Sequence, residues 1–381
     1  MTECNGGESL CNRSYSDITH LITHDSYALS PNIAATQDTT IVDQLNDGVR
    51  GIKLTAAPST KDNSIIHLCH TYCHILDAGL ATDTLNKINS WLDENPKEVV
   101  TIMWNNLYNF KATQIAAVYQ ASDIMPKVYY HEQSDDWPTL QRMIETGKRL
   151  VNFIDAEADN EQVPWLMDQF SNVFETPYDN TDINAFNCNV DRIGQEMNPK
   201  ELMYVMNHFL YGIIELGSLK IEIPIKEQAH NSNNEKSLSD HINMCKSAFD
   251  KKPNFIEVDF YTIGDALSVV SSLNDVIPPS ISSKKLSAAS VNGTSSSPHH
   301  ISMLPTNHVL IDNVEKTSWE FDAFETGINS DDSEEISDGY VKLPIISNKD
   351  MRNNLIDKYP SLRNDVNSIK YNIQDEYGPV G

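Results

Sequence analysis

Residues 82–106 read TDTLNKINSWLDENPKEVVTIMWNN. In the first half Leu85, Ile88 and Leu92 recur at helical spacing, and Pro96 marks the stop. The second half, VVTIMWNN (99–106), is a short β-branched and apolar run of the kind that forms a buried strand. A helix that feeds directly into a buried strand is one unit of an alternating α/β fold.

The same alternation extends in both directions. DITHLIT (17–23), GIKLTAA (51–57) and SIIHLCH (64–70) precede this unit. RLVNFIDA (149–156), SNVFET (171–176), LMYVMNHF (202–209) and FIEVDF (255–260) follow it. Helical periodicity returns in WPTLQRMIETGKR (137–149), with Gly147 as a C-cap, and in SLSDHINMCKSAFDKKP (237–253). Together these predict an α/β fold, an irregular (β/α)8 barrel of TIM type. The irregularity lies between the second and third runs, where the gap is too short for a helix. An antiparallel pair there, or a doubly wound open sheet, is the alternative.

The chain has 381 residues, 40% of them hydrophobic, and the strong apolar runs end near residue 277. Pro278 and Pro279 then lead into SISSKKLSAASVNGTSSSPHH (280–300), which holds too little apolar surface to offset its ordering entropy. The expected organisation is a barrel domain at 4–277, then a Ser-rich linker and an acidic, poorly ordered tail at 278–381.

The net charge of −26 argues against nucleic acid and against tight docking on an anionic bilayer. Peripheral membrane contact is the most that it allows. No apolar run reaches the roughly 18 residues of a membrane span. MTECNGGESLCNRSYSD (1–17) lacks the features of a signal peptide, and the C-terminus lacks the apolar tail of a lipid-anchor signal.

Six cysteines, at 4, 11, 69, 73, 188 and 245, fall within the expected barrel. Sequence cannot choose their connectivity. Cys69 and Cys73 form a CxxxC pair, but no second pair at ligand spacing completes a zinc site. Disulfides in an oxidising compartment are the preferred reading, with buried thiols as the alternative. Cys69 in particular is expected not to be a free thiol. The sequons at Asn12 and Asn292 fit an extracellular or secretory location, and a monomer is expected.

Barrels of this type carry their chemistry at the C-terminal ends of their strands. Those ends supply His24 and Asp25, Lys53 and Thr55, His70, Asn105, Asp155, Glu175, His208 and Asp259. Two histidines among several carboxylates suit general acid–base chemistry, because both imidazoles titrate near neutrality. No Gly-x-Ser-x-Gly elbow, HExxH or glycine-rich phosphate loop competes. Phosphodiester cleavage, with the nucleophile supplied by the substrate's own hydroxyl, fits the set without a metal or cofactor.

THDSYA (23–28), QLNDGVRGIKL (44–54), LCHTYC (68–73), WLDENPKEVVTIMWNN (91–106) and PNFIEVDFYTIGDAL (253–267) resemble the X-domain of phosphatidylinositol-specific phospholipases C. The resemblance is nearest to the secreted fungal branch of phospholipase C-like phosphodiesterases and covers about residues 4–277. It implies that His24 deprotonates an inositol hydroxyl, that the oxygen attacks phosphorus, and that His70 protonates the leaving oxygen. Asp259 would orient His24, and Asp25 would serve the acid. An inositol phospholipid or its headgroup is the implied partner. Lys53, Asn105, Asp155, Glu175, Tyr178 and His208 are the expected substrate-binding residues, with Tyr178 placed to stack on a sugar face.

Two departures qualify this. Metal-independent bacterial relatives carry a phosphate-gripping arginine where this chain has Thr55. Calcium-dependent relatives carry carboxylates that align with Lys53, Thr55 and Asn105 or Asn106, so no metal site is expected. The alternative function is a non-catalytic barrel that binds an inositol phosphate or glycan headgroup at a decayed site. One further expectation comes from parity: if Asp259 points inward, so does Glu257, one layer deeper. Lys53, also one layer below the rim, is expected to pair with it.

Overall fold

The computed structural model describes residues 3–277, apart from 32–33, 71–72, 133–135 and 217–218, and two short stretches at 321–322 and 340–341. The chain divides into two units, Met1–Ser280 and Ile281–Gly381. The expected linker and tail lie outside the described residues, save those two stretches.

The first unit is an α/β barrel. Its strands are β1 (His20–Thr23), β2 (Gly51–Pro58), β3 (Ile66–Cys69), β4 (Asp77–Leu80), β5 (Val100–Asn105) and β6 (Leu150–Ile154). β7 (Leu166–Asp168), β8 (Val173–Glu175), β9 (Met203–Asn207), the hairpin β10 (Tyr211–Leu216) and β11 (Leu219–Pro224), and β12 (Phe255–Val258) follow. Eight of them form one curled sheet in the order β7-β6-β5-β2-β1-β12-β9-β8, and every neighbouring pair is parallel. β7 and β8 do not pair, so the barrel stays open at that seam.

Two of the sequence expectations need correction. The run at 64–70 is not a barrel strand: β3 pairs antiparallel with the end of β2 and with β4. The short gap before it leaves no room for a crossover helix, and only an antiparallel return is available. The barrel strand missing from the sequence reading is β7, which has just three residues and shows no periodic signal.

Helices fill most of the crossovers. α1 (Ile41–Asp47) starts at Thr40, whose side chain accepts from the Asp43 N–H, and stops at Gly48 with φ 108°. α2 (Ala81–Glu94) precedes β5, and α3 (Ala112–Gln120) and α4 (Leu140–Glu145) lie between β5 and β6. α5 (Lys226–Ser232), α6 (Glu235–Phe249) and α7 (Ala266–Leu273) complete the set.

The floor of the barrel is apolar. Ile22, Met103, Phe153, Met167, Val205 and Phe255 share one buried cluster with Cys4, Leu10, Cys11 and Tyr15 of the N-terminal segment. That segment is held by the Cys4–Cys11 disulfide and by the Tyr15 hydroxyl, 2.6 Å from Thr101 Oγ1. β1 and β2 approach closely because residue 51 is glycine: a Cβ there would lie 2.2 Å from Ile22 Cγ1.

Candidate active site

Above the floor the inward side chains turn polar, one layer at a time. Glu257 and Lys53 lie lower; Asp259 and Thr55 follow at the rim, in keeping with the period of a strand. Lys53 Nζ stands 3.6 Å from Glu257 Oε2, the pair expected from strand parity. It also stands 3.5 Å from Glu175 Oε1, a partner that strand parity did not suggest. Burial alone would lower the lysine's pKa, but Glu175 and Glu257 reverse this and raise it.

Glu175 is fully buried and accepts from Gln169 Nε2, Arg192 and, at 3.2 Å, Asn207 Nδ2. Burial favours its neutral form, yet Lys53 and Arg192 hold it down at about 2. Arg192 lies on an extended segment bridged to Glu175 through the backbone, with its guanidinium 4.3 Å above the Tyr178 ring. Asp155, just past β6, accepts from the Asn106 N–H at 2.8 Å, and burial raises its pKa. Sequence reading missed Arg192, since nothing in NVDRIG (189–194) marks it out. Only the fold brings that segment to β8.

His24 and His70 meet over a single carboxylate. Asp25 Oδ2 is 4.0 Å from His24 Nε2 and 3.7 Å from His70 Nε2. Its other oxygen, Oδ1, accepts from the Thr55 hydroxyl at 2.7 Å. Asp25 has φ 39°, in the left-handed region that aspartate tolerates better than most residues.

On its far side His24 Nδ1 lies 2.9 Å from Asp259 Oδ1, and its ring stacks on Phe209 with centroids 4.2 Å apart. Burial pulls the pKa of His24 down, but the charges of Asp259 and Asp25 outweigh it and raise the value to about 9. His70 moves the opposite way: burial lowers it, and Asp25 only partly compensates.

Most of the expected residues therefore gather at one mouth. Asn105 is half-buried at the rim, in register with Thr55. His208 is the exception. It faces out of the barrel, with Nδ1 2.9 Å from His241 Nδ1 on α6 and Nε2 2.8 Å from the Ser232 carbonyl oxygen. Strand parity explains this, because Val205 points to the floor cluster and Asn207 to Glu175, leaving His208 on the other face. All six cysteines pair, as Cys4–Cys11, Cys69–Cys73 and Cys188–Cys245. Cys69 is thus bonded, as expected.

The profile of the family described as PI-PLC X 1 matches residues 10–274, well over half of the chain. The chain belongs to the PI-PLC X family. The "PI-PLC X domain-containing protein 1" of Arthroderma benhamiae is 32% identical over 278 residues, 71% of this chain and 89% of that protein. A second A. benhamiae protein, named "Uncharacterized secreted protein", is 34% identical over 287 residues, 72% of this chain and 64% of its own length. The phosphatidylinositol-specific phospholipase C of Listeria monocytogenes has a TM-score of 0.46 at 14% identity, over 70% of this chain and 94% of its own. His24, Asp25, His70 and Asp259, for which the sequence resemblance implies acid–base roles, lie together at the mouth of the barrel.

Proposed function

We propose that this protein is an extracellular phosphodiesterase of phospholipase C type, which cleaves an inositol phospholipid without a metal. The observation that carries this reading is the placement of two imidazoles across Asp25, at 4.0 and 3.7 Å, with one of them held by Asp259. Such a pair can take a proton from an inositol hydroxyl and return one to the leaving glycerol oxygen. The attacking oxygen becomes part of a cyclic inositol phosphate as the bond from phosphorus to glycerol oxygen breaks.

Without substrate, the pair's proton rests on His24, whose pKa is about 9, and not on the depressed His70. Catalysis with His24 as base needs that proton on His70. An anionic phosphodiester beside His70 favours the transfer, because a nearby negative charge stabilises imidazolium. Only the singly protonated pair is competent, so turnover should hold a plateau between the two pKa values whichever nitrogen carries the proton.

Arg192, Asp155 and Tyr178, each partly exposed beside the buried Glu175, form a wall that suits the hydroxyls and ring face of a polyol headgroup. The positive field on the phosphate is modest. Thr55 donates to Asp25, and both Lys53 and Arg192 already face carboxylates. Slow turnover is therefore expected. The three disulfides and the secreted relative support an extracellular location.

Incubation with phosphatidylinositol, with and without chelator, should release inositol cyclic phosphate in both arms. Headgroup binding with no product would leave a non-catalytic binding barrel as the reading. Activity lost with chelator would overturn metal independence.

A further inference from the structure

The groups of the site owe their positions to different devices. His24, Lys53, Glu175 and Asp259 lie on barrel strands or directly after them, each tied into the parallel sheet. His70 does not. Leu68 pairs with Ala56 on the overshooting end of β2, so the antiparallel return brings the chain back down beside β2 toward the mouth. β3 then ends at Cys69, and its register with β4 shifts between His67 and Cys69.

Beyond that point the His70 N–H donates to the Leu76 carbonyl oxygen at 3.1 Å. A covalent tie lies beside it. Cys69, which is fully buried, is bonded to Cys73, and Cys73 Sγ sits 3.3 Å from the Pro58 carbonyl oxygen at the end of β2.

We propose that the Cys69–Cys73 disulfide is the positioning element for His70, holding the imidazole over Asp25 in place of a barrel strand. Loop length argues for a local role. The restraint that a disulfide puts on the unfolded chain grows with the logarithm of the loop it closes. Cys69 and Cys73 are only 4 positions apart in the chain, against 57 for Cys188 and Cys245. The short ring is therefore the weaker global staple, yet it encloses the histidine that has no strand of its own. Freed from the ring, His70 would move out of its buried place, and the burial that depresses its pKa would be relieved.

The test compares C69S/C73S with C188S/C245S, each checked for folding by thermal melting. For C69S/C73S, kcat should fall on the order of 10²-fold, the loss expected when a reacting group is misplaced by about an ångström. KM should change by less than about twofold, since the headgroup wall is untouched. In an NMR titration the His70 pKa should rise toward the ordinary histidine value, while His24 stays near 9. C188S/C245S should instead lose melting temperature and keep both titrations. The kinetic arm rests on the proposed activity, whereas the titration arm does not, so an inactive wild type leaves the inference testable.

An unchanged His70 titration in folded C69S/C73S would overturn the proposal, as would a kcat within about twofold of wild type. If C69S/C73S does not fold, C69A/C73V, which keeps the site apolar, is judged by the same two readouts.

Discussion

His20 and His24 sit at opposite ends of one short strand, and the molecule treats them in opposite ways. His20 opens β1 on the floor of the barrel, packed against the rings of Tyr15 and Phe255, with no hydrogen-bond partner for Nε2 among the described residues. Burial drives its pKa down to about 3, with Arg50 adding to the effect. His24 follows the strand's last residue at the mouth, where two carboxylates override burial and raise it to about 9. Desolvation is strong at both ends of the strand. The difference lies in where the carboxylates stand: it leaves one end of the strand to packing and fits the other to the chemistry proposed for the mouth.

Removing the mouth histidine should have the largest effect. His24→Ala should lower turnover by about 10²–10⁴-fold with the fold intact, measured as cyclic phosphate release alongside a melting curve. Comparable activity in the variant would break the contrast, since the titrating end of β1 would then have no chemical role.

The layer between floor and mouth comes next. Lys53→Met leaves Glu175 and Glu257 facing each other without their shared cation. Breaking a buried pair from one side should destabilise by roughly 3–5 kcal/mol in a denaturant titration. A much smaller loss would mean that water reaches this layer and that it belongs electrostatically to the mouth.

The two histidines should also give stability slopes of opposite sign. The unfolded chain binds a proton at each near pH 6.5. Folded His20 resists protonation down to about 3, so its share of stability is complete above pH 6.5 and is lost as pH falls from there toward 3. Folded His24 keeps its proton up to about 9, so its share is complete below pH 6.5 and is lost as pH rises through 9. Each amounts to roughly a few kcal/mol. His20→Phe should flatten the acid limb alone, and His24→Ala the alkaline limb alone, in melting temperature against pH. Equal slopes before and after either change would remove that residue from the comparison.

The smallest effect sharpens the picture at the mouth. Phe209 stacks on His24 at 4.2 Å, and Phe209→Leu should cost about 0.5–1.5 kcal/mol of stability. It should leave the raised pKa of His24 in place, because Asp259 and Asp25 remain.

Much of this was legible in the chain itself. The strand ends named His24, Asp25, His70 and Asp259, and the alternation in FIEVDF, set beside Lys53, led to the buried pair with Glu257. Parity misled only where it was not applied: counting by twos from Val205 would have turned His208 outward and Asn207 inward. β7 escaped notice because three residues are too few to show a period. Arg192 escaped because it lies outside every strand and meets Glu175 only once β8 is in place.

By itself the sequence determined the alternation of helices and strands and the polar residues at strand ends, and it favoured paired cysteines over free ones. These follow from local spacing and composition, which act over a few residues. The open seam between β7 and β8, the approach of Arg192 and the opposed pKa values of His20 and His24 were decided by tertiary structure alone. Desolvation and Coulomb interactions depend on distances through space, and residues far apart in the chain set those distances only when the barrel curls.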